Sequence, residues 1–431
     1  MRQARAEPRT SRLTLAVLTL TAAGALAACL ATNPRPQPSP GSGDSTPGVT
    51  AEATIPAVGQ GYQWTPLDLG QFGGVSLQSV TTSPDGGLIG IGTWLTGEAP
   101  DGTRRHPTIW TSADGAAWVR QPDSPAFVSR RARWDETVLD LVASERGFVA
   151  VGIEQFDDAS SADAAAWLSP DGRTWTRAKV EDGVGRTMDQ VIATSDGFVA
   201  IGEAGYDFHA GFGAGTAIWT STDGATWTRL PDRAAPPRGT QLRSVLTAPG
   251  MFLASAGFEH AQGQEEQPRP PVTDGIWRSA DAIHWKPIAG TPLGVGDIVA
   301  APGGFLAMGG STALDAGSGV TNAVAWGSSD GRVWTPIALS RPHDVPAGVA
   351  FYGGQLVNGP AGLLAFGERD DDFSTVAWSS ADGTIWTPLA LTPALKGAQI
   401  ERAVLVNGSI LLLGQLQAGG LYTPADWLLT P

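Results

Sequence analysis

Short apolar runs bounded by glycine recur seven times along the chain. They read GLIGIG from Gly87, GFVAVG from Gly147, GFVAIG from Gly197, MFLASAG from Met251, GFLAMG from Gly304, GLLAFG from Gly362 and SILLLG from Ser409. A run of this length with little polar alternation is the pattern of a strand buried on both faces. Ahead of each lies another apolar stretch closed by a turn signal, such as QSVTTSPDG or QVIATSDG.

A second string alternates with the first. Two tryptophans eight residues apart flank a Ser-x-Asp-Gly turn: Trp110 to Trp118, Trp167 to Trp175, Trp219 to Trp227, Trp326 to Trp334 and Trp378 to Trp386. Trp277 to Trp285 is a worn copy with Ala282 in the Gly place. The copies recur at intervals of 57, 52, 58, 49 and 52 residues, the length of a propeller blade or a solenoid turn. Each unit then holds four strands. Six complete hairpins against seven buried strands leave one hairpin to find, and its halves lie at opposite ends of the chain: YQWTPLDL around Trp64 and ADWLLTP around Trp427. Pairing them shuts a ring and removes the open sheet edges. The expectation is an all-β, seven-bladed β-propeller with four antiparallel strands per blade. An open solenoid would need capping units, and none is visible. With the turn centred on its Asp, the two tryptophans should stand opposite each other on one face and wedge neighbouring blades apart.

Composition fits this picture. The 431 residues include 56 Gly, 32 Pro and 16 Trp, as many short strands joined by tight turns require. A formal charge of -14 argues against nucleic acid as a partner. The single cysteine rules out a disulfide framework and a Cys-rich zinc site.

That cysteine is placed tellingly. Arg2, Arg5, Arg9 and Arg12 precede an apolar run from Leu13 to Ala28, which ends Leu26-Ala27-Ala28-Cys29. A charged start, a short apolar stretch and small residues before a cut make a secretion signal, and the run is short for a membrane span. Leu-Ala-Ala-Cys resembles the bacterial lipobox. That resemblance implies lipidation at Cys29 and an extracytoplasmic protein held to the cell envelope by its N-terminal lipid alone; an ordinary signal peptide is the alternative. Residues 30–61 are rich in Pro, Ser, Gly and Thr and read as a disordered tether. The expected organisation is signal peptide 1–28, tether 29–61 and propeller 62–431.

The turn Ser-x-Asp-Gly-x-x-Trp resembles the Asp-box signature of bacterial neuraminidase repeats, over about 370 residues of this chain. The family includes sialidases, related glycosidases and non-catalytic binding proteins. In it the Asp box is structural and lies away from the active face, which implies structural roles for Asp114, Asp171, Asp223, Asp281, Asp330 and Asp382. The nearest match to the family's Arg-Ile-Pro element is Thr54-Ile55-Pro56, and its Tyr–Glu nucleophile pair would correspond to Tyr352 beside Glu401.

Propellers usually work where the innermost strands begin. Aligning the units on their glycines puts Gln78, Asp140, Asp189 with Gln190, Arg243, Asp297, Gln355, and Glu401 with Arg402 around the mouth of the central channel. Carboxylates and guanidiniums converging there suit a polar or charged ligand. Loops on the same face add Arg104, Arg105 and His106, then Arg130, Arg131, Arg133 and Trp134, then Tyr206 and His209, then Asp370, Asp371 and Asp372. The basic and aromatic ones suit an acidic partner or a sugar. No histidine pair has metal-ligand spacing, and the Asp370–Asp372 run lacks the form of a calcium loop. No metal or cofactor is expected. The leading expectation is a monomeric, non-catalytic binding or scaffolding module for a glycan or protein of the envelope. An exo-glycosidase of sialidase type and an envelope assembly factor are the alternatives.

Overall fold

The structure is a computed structural model. It describes residues 62–431 apart from 73–74, 95–105, 132–133, 157–161, 208–211, 214, 259–273, 292–293, 310–322, 344, 347–348, 370, 390–394, 396 and 419–420. The signal, Cys29 and the tether lie outside the described residues, as do Arg104, Arg105, Arg133, His209 and Asp370.

Seven antiparallel sheets stand around one axis. Their innermost strands are, in blade order, Val75–Thr82, Trp134–Ser144, Gln190–Thr194, Thr240–Ala248, Asp297–Ala301, Phe351–Gly359 and Ala398–Val406. Each contacts the next, and the last contacts the first. Six blades have four strands; blade 3 gains a fifth, Lys179–Val180, which pairs in parallel with Thr226–Arg229. A small ribbon of Tyr206–Asp207 and Phe212–Gly213 adds to the same blade's connection.

Both chain ends build blade 7. Gln63–Pro66 pairs antiparallel with Leu421–Thr430, setting Trp64 opposite Leu429 and Pro66 opposite Trp427. The Tyr62 hydroxyl accepts from the Ala361 N–H at 3.0 Å and donates to the Gly362 carbonyl at 3.2 Å, pinning the first strand to blade 6.

The tryptophan geometry differs from the expected opposition. Trp167 lies opposite Arg177, Trp219 opposite Arg229 and Trp378 opposite Pro388. The second tryptophan of each pair therefore stands two residues off, diagonal to the first on the same face. The turn takes more residues than a two-residue hairpin because the Asp box is folded over itself. The Asp171 Oδ1 accepts N–H groups from Arg173 at 2.9 Å and Thr174 at 2.6 Å. The Ser169 hydroxyl accepts the Gly172 N–H at 2.8 Å. The Trp175 indole N–H closes the loop on the Gly172 carbonyl at 3.1 Å. Asp114, Asp223, Asp281 and Asp330 each accept two N–H groups in the same way, and Asp382 accepts that of Thr384.

The wedge itself is present. One apolar cluster fills each of the seven blade interfaces, and each pairs the tryptophans of one blade with the aliphatic strands of the blade before it. Blade 7 obeys the rule with Trp427 and Trp64, joined from the two termini.

Candidate active site

Alternation of strand direction puts the Asp-box turns on one face of the ring. The starts of the innermost strands and the hairpins joining second to third strands lie on the other. On that second face the innermost strands carry β-bulges, between Leu77 and Ser79, Val138 and Asp140, Arg243 and Val245, Gly353 and Gln355, and Ile400 and Arg402. A bulge bends the strand and re-aims its side chains. At five of the buried runs the innermost backbone comes against the second strand, so that Gly92, Gly152, Gly202, Gly367 and Gly414 have no room for a side chain, whereas Gly257 has room for one. A Cβ at Gly152 would lie 2.0 Å from the Thr137 carbonyl oxygen, and one at Gly414 would lie 2.1 Å from that of Gln399.

Three of the expected mouth residues join blade to blade. The Asp140 carboxylate accepts the Val191 N–H at 3.0 Å and the Ser79 hydroxyl at 3.3 Å. The Gln190 amide oxygen accepts the Val245 N–H at 3.1 Å. Asp297 accepts the Leu356 N–H at 3.1 Å and the Ser244 hydroxyl. Burial pushes both aspartates above the ordinary range; Arg402 draws Asp140 back down, and for Asp297 the Ser244 hydroxyl does most of that. The Arg402 guanidinium lies 3.7 Å from Asp140. Asp189 donates its N–H to the Ile201 carbonyl, Gln78 accepts the Thr93 hydroxyl, and Arg243 donates to the Gln241 side chain.

Blades 6 and 7 carry a different arrangement. Glu401 is the extra residue of its bulge, between Ile400 opposite Gly414 and Arg402 opposite Leu413. Burial and the charge of Glu368 push its carboxyl up, and Arg402 pulls it down. Burial alone raises Glu368, next to last in the second strand of blade 6, with Tyr352 directly opposite. Behind them Asp426, 2% exposed, takes the Gly414 N–H at 3.3 Å; burial pushes it up to about 7, and Glu401 adds to the rise. Three carboxyl groups thus form an electrically coupled row, Glu368–Glu401–Asp426. The alignment of innermost strands finds Glu401 but misses the other two, because Glu368 and Asp426 project from second and third strands. The available signals are an acid one place past the glycine of GLLAFGE and an acid inside the apolar ADWLL.

The partner-binding loops resolve differently. Arg131 is clamped between Glu154 at 2.6 Å and Asp163 at 2.8 Å and stacks on Trp134, 3.4 Å from the ring centroid. Arg177 bonds the buried Glu136. Arg131 and Trp134 thus belong to an ion network that braces blade 2. Tyr206 is described only as backbone. Among the described residues no group of three or more His, Cys, Asp or Glu is placed to hold a metal.

No family model matches the chain, and no curated protein matches it. Solved structures do. An α-L-arabinofuranosidase, Arb93A of Fusarium graminearum, shares 12% identity and a TM-score of 0.46 over 83% of this chain and 93% of that one. An α-L-arabinanase of Penicillium chrysogenum shares 11% identity, with a TM-score of 0.40 over 87% of this chain and 98% of that one. The polysaccharide lyase Uly1 shares 9%, with a TM-score of 0.44 over 82% and 90%. The expectation of a non-catalytic binding or scaffolding module is corrected by this finding: the structures the chain resembles are described as glycan-cleaving enzymes, and the glycosidase alternative accords with them. At these identities and scores no substrate and no residue role carries over.

Proposed function

We propose that the protein is a glycoside hydrolase working at the bulged mouth of the ring, with Glu401 and Glu368 as its carboxyl pair. One observation carries the reading: two half-buried glutamates lie on adjacent blades at the bulged end of the ring, and burial, with the charge of Glu368 added, raises the Glu401 carboxyl above its ordinary range. Glycoside cleavage needs such a pair, one carboxylic acid to protonate the leaving oxygen and one carboxylate to act as base or nucleophile. Arg402 beside Glu401 is itself held by Asp140, which limits how far it lowers the acid. The test is hydrolysis of a panel of aryl α- and β-glycosides by the purified protein. Turnover of at least one is expected, with Glu401→Gln and Glu368→Gln each lowering kcat by at least ~100-fold at unchanged fold. A panel without turnover, or turnover indifferent to both changes, defeats the reading.

The repeated Ser-x-Asp-Gly-x-x-Trp turns support grouping the chain with the Asp-box propellers. The Leu26–Cys29 string supports an extracytoplasmic position with lipid on Cys29. Cys29→Ser is then expected to release the protein from membranes into the soluble fraction; unchanged membrane fractionation and unchanged N-terminal mass would reject the anchor.

A further inference from the structure

Blade 6 holds two aromatic side chains out in solvent beside the carboxyl pair. Tyr352 is 45% exposed and Phe373 is 49% exposed, whereas Phe351 and Phe366 of the same blade are buried. Tyr352 stands directly opposite Glu368, and Glu368 opposite Thr375. Phe373 sits in the hairpin that joins those last two strands. Its N–H donates to the Arg369 carbonyl at 3.1 Å, and the Arg369 N–H donates to the Ser374 carbonyl at 3.0 Å.

Phe373 has a φ of 56°. A bulky aromatic in the left-handed region is strained, and glycine or asparagine would serve such a turn better. Exposure means that burial does not repay the strain. The hairpin is nonetheless braced: Arg369 reaches Asp371 at 2.7 Å and Asp372 at 3.4 Å, and Asp372 accepts the Ser374 N–H at 3.0 Å and its hydroxyl at 2.6 Å. A strained, exposed side chain on a braced loop points to a use in binding.

We propose that Tyr352 and Phe373 form a sugar-binding subsite that holds a neutral ring of a glycan chain next to the Glu368–Glu401 pair. The proposal rests on the hydrolase reading. Sugar rings offer an apolar C–H face and a rim of hydroxyls, and exposed aromatics beside carboxylates match both. Glu368, Asp371 and Asp372 make the surroundings acidic, which selects against sialic and uronic acids. The subsite implies a substrate of two or more units, one cleaved and one held.

The experiment titrates cellopentaose, xylopentaose, arabinopentaose, chitopentaose and sialyllactose into the full chain, its Glu401→Gln variant, and the Tyr352→Ala and Phe373→Gly variants. Binding is read by calorimetry and stability by Tm. At least one neutral pentasaccharide should bind and sialyllactose should not. Tyr352→Ala and Phe373→Gly should each weaken binding about tenfold, while Phe373→Gly keeps or raises Tm. Weaker binding without a lower Tm separates a ligand contact from a structural role. Neutral pentasaccharides bound equally by both variants, preferred binding of sialyllactose, or no binding by the parent protein would overturn the subsite. Binding that depends on the aromatics without any turnover would uphold the subsite and remove the hydrolase reading. Turnover with an aromatic-independent KM would do the reverse.

Discussion

At the scale of single residues, the carboxyl groups divide into two populations with opposite effects on stability. Asp-box carboxylates accept backbone N–H groups of their own turns, and these bonds, led by that from Thr174, hold Asp171 at about 2. Its contribution is present above the unfolded value near 4 and is lost as pH falls towards 2. Asp426 and Glu136 behave the other way. Burial pushes both up to about 7, against the pull of Gly414 on one and Arg177 on the other. The folded chain then binds protons that the unfolded chain has released, so stability falls as pH rises from about 4 to about 7. Urea denaturation should therefore show a stability maximum near pH 5 and a decline by pH 8. Asp426→Asn keeps an acceptor for Gly414 and cannot ionise, so it should flatten that decline and add a few kcal/mol, on the order of 2–4, at pH 8. An unaltered slope in the variant would refute the account. Much of the mouth was legible at this scale: Glu401, Arg402, Asp140 and Asp297 follow from aligning repeats on their glycines. Their division into blade-joining and mouth-facing groups was not, because it depends on which backbone N–H each carboxylate meets in the neighbouring blade.

At the scale of the strand and hairpin, glycine marks two different needs. Gly250 has a φ of 71° and open space around its missing Cβ. Gly152 lies where the bulged inner strand presses on the second strand, 2.0 Å from a carbonyl oxygen. Gly250→Ala should cost about 1 kcal/mol through backbone strain alone. Gly152→Ala must displace a main-chain carbonyl inside a blade and should cost about 3 kcal/mol or more. Thermal unfolding of the two variants checks the order, and equal shifts would refute the close-approach explanation. The repeated glycine was visible in the sequence as a strand boundary. The close approach that excludes a side chain there was not, since it depends on how two strands meet and neither one encodes it alone. The diagonal tryptophans follow the same logic: their spacing in sequence is fixed, but the hydrogen bonds inside the Asp box set the register.

At the scale of the molecule, the ring depends on four residues near its start. Gln63–Pro66 supplies the outer strand of blade 7 and places Trp64 in the interface with blade 6. Removing residues 1–66 should expose the edge of Leu421–Thr430 and take Trp64 and Tyr62 from an otherwise filled interface. The expected result is a Tm lowered by ~10 °C or more and concentration-dependent association. A truncated chain that melts as the longer one does would show that the closing strand is dispensable. Closure also serves the site, because Asp426 lies on the strand that Gln63–Pro66 pairs with, and its backbone carbonyl accepts the Leu67 N–H at 2.9 Å.

Apart from the fifth strand of blade 3, the sequence by itself determined the number of blades, the four antiparallel strands common to them and the joining of the two ends. These follow from periodic burial and from the order of repeats, which are properties of the chain read in one dimension. The tertiary structure decided which acids meet. Glu368, Glu401 and Asp426 come from three strands of two blades, and the bulge at Glu401 and the packing of blade on blade bring Glu401 within the field of the other two. Coulomb coupling acts through space at short range, and no spacing along the chain reports it.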